Sequence, residues 1–130
     1  MTEATIEWDD AEETIIRMTF VGRFTWEEFF ATHKQGRDRV EGKSHRCDVI
    51  VDLSRGVTTS AMPPLTNAKK IIQDAPDNLG RFIIITSPLA NIVLTALKRL
   101  DPALSARVLM ASRLEQAREL IAKERASASK

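Results

Sequence analysis

Asp52 and Ser54 are the residues of this chain best placed to do chemistry. They close a short apolar run, Val49-Ile50-Val51, and a hydroxyl-rich stretch follows: Thr58, Thr59 and Ser60, then Met62 before Pro63-Pro64. A strand that delivers its C-terminal end into a polar loop and a helix start is where open α/β folds place their binding sites. Ser87-Pro88 offers a second helix start of the same kind, with serine at the N-cap and proline at the first helical position. Two helix starts aim backbone amides into one crevice, which suits a nucleotide, an anion or a lipid-like headgroup. Met62, Leu65 and Leu89 add apolar surface beside them. Asp52, Ser54, Thr58, Thr59, Ser60, Met62 and Ser87 are therefore the candidate ligand- or partner-binding residues.

Catalytic readings fail on spacing. There is no Gly-rich phosphate loop followed by lysine and no nucleophile elbow. His33 and His45 have no Ser or Cys partner in a recognisable order. His33 lies at the edge of a helical stripe, with no second His or Cys at ligand spacing, and reads as a partly exposed packing residue. Cys47 opens an apolar strand and reads as a small buried hydrophobe. Asp9-Asp10 and Glu12-Glu13 read as a solvated acidic turn without the alternating ligands of a calcium loop. The expectation is a chain with no catalytic residue, no metal and no cofactor.

Composition narrows the class further. A chain of 130 residues suits one domain with a real core. Its 43% hydrophobic and 28% charged residues are ordinary for a globular protein, and a formal net charge of +1 gives no electrostatic case for nucleic acid or acidic membranes. A single cysteine excludes an intrachain disulfide. The acidic start, MTEATIEWDD, has no signal-peptide core, and no apolar stretch approaches the roughly 20 residues of a membrane span. The reading is a cytoplasmic protein.

The elements that must position these residues follow from periodicity. Thr5–Trp8 and Thr14–Val21 alternate as two strands of a hairpin, with Ile16, Met18 and Phe20 on one face and Ile15, Arg17, Thr19 and Val21 on the other. Gly22-Arg23 breaks the run. Thr25 and Glu28 form a capping box for a helix whose Trp26, Phe29, Phe30, His33, Arg37 and Val40 share one face, the aromatics packing into the core. Cys47–Leu53 is apolar on both faces, as a central strand should be. Ser54–Met62 is irregular. Leu65–Ala75 keeps helical spacing until Pro76. Arg81–Thr86 is another central strand, Leu89–Leu100 another helix, and Arg107–Met110 a short strand. Ser112 and Glu115 form a capping box for a last helix through Leu114, Ala117 and Ile121. The expected fold is α/β, a single-domain mixed sheet of about five strands with four helices in the order ββαβαβαβα. Residues 1–125 make the domain and 126–130 a disordered tail.

The element order resembles a STAS domain, the module shared by sulfate transporters and anti-sigma factor antagonists. Its divergent stand-alone members, called anti-sigma-factor-antagonist-like or STAS/SEC14-like, look most similar. The resemblance is carried by Val51-Asp52-Leu53-Ser54-Arg55-Gly56-Val57-Thr58, by Asn78-Leu79-Gly80-Arg81 before a strand, by Ala90-Asn91-Ile92 to Asp101-Pro102, and by Ser112-Arg113-Leu114-Glu115-Gln116-Ala117. It implies a non-catalytic module that docks a protein partner through the Ser54–Leu65 loop. Signalling members of the family carry an acceptor serine at the start of the helix after the central strand, where a partner kinase phosphorylates it. Here the equivalent stretch is Ala61-Met62-Pro63-Pro64, so phosphoregulation is not expected. Thr59 and Ser60 are displaced hydroxyls that suit turn capping. A small-ligand binding domain is the alternative function. A homodimer through Leu94, or through the Ile15 and Val21 side of the hairpin, is a further expectation.

Overall fold

The two-faced alternation of Ile15 to Phe20 and the double-sided apolar run Val49-Ile50-Val51 require a sheet covered on both sides. The computed structural model, which describes residues 3–58, 75–86, 99 and 108–128, has that sheet. Its elements are β1 (Glu3–Trp8), β2 (Ile15–Phe24), α1 (Trp26–Glu41), β3 (Cys47–Thr58), β4 (Leu79–Ile85), β5 (Val108–Ala111) and α2 (Leu114–Ala128). The five strands lie in the order β1-β2-β3-β4-β5. β1 and β2 form the expected antiparallel hairpin, and every later pair is parallel. No helix among the described residues is long and apolar enough to cross a membrane.

Each sheet face builds its own core. On one, Ile16, Met18 and Phe20 of β2 meet Val49, Val51 and Leu53 of β3, Phe82 of β4 and Val40 of α1. On the other, Ile15, Ile50, Ile83 and Ile85 pack under Ala117 and Ile121 of α2. Each such aliphatic side chain, fully buried, contributes on the order of 1.5–3 kcal/mol. Of the hairpin residues expected to face a second copy, Ile15 is thus buried in this core and Val21 is half-buried. Leu94 lies outside the described residues.

Several boundaries depart from expectation. Gly22 does not end β2. It takes φ 87°, which a glycine adopts without penalty, and the strand runs on to Phe24. β3 likewise continues through Ser54–Thr58 instead of turning irregular, because Arg55–Thr58 pairs with Val21–Phe24. The described residues hold two helices where four were expected; Leu65–Ala75 and Leu89–Leu100 fall mostly outside them. α2 runs through Ala128, so part of the expected tail is helical. The Thr25 capping box forms, the Glu28 amide donating to Thr25 Oγ1 and the Thr25 amide to Glu28 Oε1, both at 3.1 Å. At α2, Gln116 and not Glu115 reaches back, its Oε1 accepting from the Ser112 amide at 2.8 Å and from the Ser112 hydroxyl at 2.9 Å. The helix starts one residue later than the pattern suggests, which moves the reaching position along by one.

The buried side of α1 is Thr32, His33, Gly36 and Val40. Gly36 lets the helix settle onto β2, since a Cβ there would stand 3.1 Å from Met18 Sδ. Trp26, Phe29 and Phe30 are all half-buried, with Phe29 packed against the core. Phe20, Phe24, Trp26, Phe29 and Phe30 form a chain of ring contacts with centroids 5.1 to 6.4 Å apart. Gly56 makes room for it, because a Cβ there would lie 2.8 Å from Phe24 Cε1.

Candidate functional site

Asp52 and Ser54 come together at a slip in the parallel ladder. Between β2 and β3 the register passes from Thr19↔Asp52 to Val21↔Arg55, so β3 carries one extra residue there. A bulge leaves a backbone amide without its ladder partner. Asp52 Oδ1 takes it, accepting from the Ser54 amide at 2.9 Å and from the Ser54 hydroxyl at 2.6 Å. Asp52 is half-buried and Ser54 exposed. The Ser54 proton is committed to Asp52, while its oxygen still has lone pairs to accept from a ligand or partner. Asp52 thus organises local amides within a strand. Thr58 ends β3, paired with Phe24. Thr59, Ser60, Met62 and Ser87 lie outside the described residues. The candidate set is therefore brought together only at Asp52 and Ser54.

The opposite end of the sheet holds a larger polar construction that sequence reasoning missed. Asp48, in the apolar run and fully buried, sits at a second register slip, where β4 gains a residue between Leu79 and Phe82. Its Oδ1 accepts from the Arg81 amide at 2.7 Å and from Arg46 Nη2 at 3.1 Å, and its Oδ2 from Arg125 Nε of α2 at 2.9 Å. Arg125 also donates to the Thr14 hydroxyl at 3.0 Å and the Thr14 carbonyl at 2.8 Å. Gly80 is required: a Cβ there would collide with Asp48 Oδ1. The adjacent Asn78 donates from Nδ2 to the carbonyls of Val40, Lys43 and His45, at 2.7, 3.2 and 3.0 Å. The Asn78-Leu79-Gly80-Arg81 motif is thus a joint between α1, β3, β4 and α2. The signal available in the sequence was the charge itself, since a carboxylate inside a central strand needs donors.

The acidic turn is similarly consumed. Asp9 is not solvated; its side chain is 3% exposed and bonds Arg17 Nη1 at 2.5 Å and Arg118 in a two-pronged pair at 2.8 Å each. Hydrogen bonding from Arg118 holds its carboxyl below the ordinary value, against the effect of burial. For Asp10, partial burial works upward, yet bonds from the Thr14 hydroxyl and the Ile15 and Thr14 amides leave its carboxyl lowered as well. Glu13 turns the chain at φ 57°. Its carbonyl accepts from the Cys47 thiol at 3.6 Å and contacts His45 Nε2 at 2.8 Å.

Cys47 is fully buried, as expected; burial pushes its thiol up, and the charge of Asp48 adds to that. A thiol held protonated is a poor nucleophile. His33 is more buried than its position suggested, at 5% exposure against Phe82. Burial lowers its pKa to about 4, with the charge of Arg37 acting in the same direction. Among the described residues no three His, Cys, Asp or Glu side chains gather into a metal site.

No family model matches the chain, and no curated protein matches it. Among solved structures it is similar to an uncharacterized protein of the DUF3478 family with a SpoIIAA-like fold from Shewanella loihica PV-4. The two share a TM-score of 0.59 at 14% identity, over 92% of each chain. The fold is accordingly SpoIIAA-like, the fold of STAS domains and anti-sigma factor antagonists.

Proposed function

We propose that this chain is a non-catalytic STAS-like interaction module that docks a protein partner at the C-terminal end of β3 and the Ser54–Leu65 segment, without phosphoregulation. The observation that carries this reading is the SpoIIAA-like fold, shared over 92% of the chain. The commitments of the polar groups support it. Asp48, Asp9, Asp10 and Asp52 all accept from their own chain, the Cys47 thiol is buried, and the two histidines lie away from Ser54 in the fold. Ala61-Met62-Pro63-Pro64 provides no acceptor serine where signalling modules of this kind carry one.

The experiment is in-cell crosslinking with mass spectrometry on the full chain and on a variant with residues 59–64 replaced by a Gly-Ser segment. A partner that crosslinks to the full chain and is lost from the variant is the expected result. Recovery of no partner, or the same partner from both chains, overturns the reading. Native mass spectrometry of gently purified protein runs beside it. A stoichiometric small mass that disappears in the same variant would replace partner docking with the small-ligand alternative.

A further inference from the structure

Two nitrogen-bearing side chains on the inward side of α1 lack an acceptor among the described residues. The His33 ring is nine-tenths buried, its centroid 5.5 Å from that of Phe82, and among the described residues it has no hydrogen-bond partner. One turn on, at the i+4 position that shares its helix face, Arg37 has a buried Nε with no hydrogen-bond partner. The carboxylate closest to its charge is that of Asp38, 3.9 Å from Nη2 and beyond hydrogen-bond reach. Buried polar groups are almost always satisfied, and an orphan guanidinium N–H calls for a bound water or ion.

We propose that His33 and Arg37 form a binding site for a small oxyanion, of carboxylate or phosphate type, on the α1 face of the sheet. The chemistry selects that class. A guanidinium offers donors in a planar fork, and a neutral imidazole adds one N–H donor. An amide or a hydroxyl would bring donors that meet no acceptor here, and a cation would be repelled by Arg37. The Arg37 side chain is 27% exposed, so its outer end meets solvent while Nε faces inward. An anion reaching that outer end meets the guanidinium directly. The site lies across the sheet from the Asp52 side chain and does not depend on the partner-docking reading.

The test is a titration of the full chain followed by NMR signals of the His33 ring. Inorganic phosphate and acetate are compared with sodium chloride at equal ionic strength. A saturable His33 response to phosphate or acetate, absent with chloride, is expected. The His33 protonation midpoint should rise with the bound anion, because an adjacent negative charge favours imidazolium. Arg37→Gln should abolish the response, and Arg37→Lys, which keeps charge but loses the fork, should weaken it by about tenfold. Lys34→Gln, on the exposed side of α1, should leave it unchanged. Phosphate alone or acetate alone identifies the type. No saturable response to either anion, an equal response to chloride, or a response that survives in Arg37→Gln overturns the proposal. If Arg37→Gln fails to fold, Arg37→Lys decides: a response of undiminished strength in Arg37→Lys overturns the proposal.

Discussion

Removing the Asp48 carboxylate should be strongly destabilising, because three donors converge on it. In Asp48→Ala the Arg81 amide loses its acceptor at a slip in the ladder, where no strand carbonyl replaces it. An unsatisfied buried N–H costs roughly 1–3 kcal/mol. Breaking a buried ion pair costs about 3–5 kcal/mol when the remaining charge is stranded. Here Arg125 is 33% exposed and Arg46 39% exposed, so water recovers much of that, and the pair contributes nearer 1–2 kcal/mol. The total is about 2–5 kcal/mol, a large part of the roughly 5–15 kcal/mol that holds such a domain together. For this length it corresponds to a melting temperature lower by roughly 10–20 °C. Asp48→Asn keeps an acceptor for Arg81 but turns an amide donor toward Arg125, and should cost about 2 kcal/mol. Urea unfolding followed by far-ultraviolet circular dichroism measures both. An Asp48→Ala variant within about 0.5 kcal/mol of the parent, at unchanged m-value, would refute the reasoning, as would Asn costing more than Ala.

Gly80→Ala should approach the cost of Asp48→Ala, since its Cβ occupies the position of Asp48 Oδ1; Gly42→Ala, whose Cβ would meet only ordinary contacts with α1 carbonyls, is the control in the same unfolding assay. His33 protonates near pH 4 when folded and near 6.5 when unfolded. Between these values the unfolded state binds more protons, so this group removes up to about 3 kcal/mol as pH falls from 6.5 to 4, and His33→Leu should flatten that limb of the stability–pH curve. The Asp9 carboxyl is lowered, so its contribution is present above its unfolded value of 3.8 and is lost as pH falls through the folded value; Asp9→Asn should remove that acid dependence and the coupling to Arg118 in a double-mutant cycle. Arg118→Ala by itself should cost no more than about 1 kcal/mol, because its side chain is 46% exposed. Cys47 should react with a thiol reagent at least about a hundredfold more slowly in the folded protein than in urea, as a buried thiol held protonated requires.

Local pattern determined the strands, the hairpin and the first helix cap, because these depend on neighbours within a few residues. Ile15 to Phe20 alternates because one strand must feed two cores, and Thr25 with Glu28 closes a cap within three positions. The STAS-like fold was also legible in the strand, strand, helix, strand opening of the chain, and the resemblance singled out short motifs such as Asn78-Leu79-Gly80-Arg81. What those motifs do was not. Asn78 holds carbonyls 33 to 38 residues away, and Arg125 reaches Asp48 across 77 positions, distances over which sequence carries no geometric signal. The extra residues in β3 and β4 were equally hidden, since a register slip is defined only against the neighbouring strand. Only the tertiary structure decided that Asp48 and Asp52, four positions apart on one strand, each take a backbone amide freed by such a slip. It also decided that His33 is buried, because exposure of an edge-of-stripe residue depends on what β4 places opposite it, and β4 places Phe82 there.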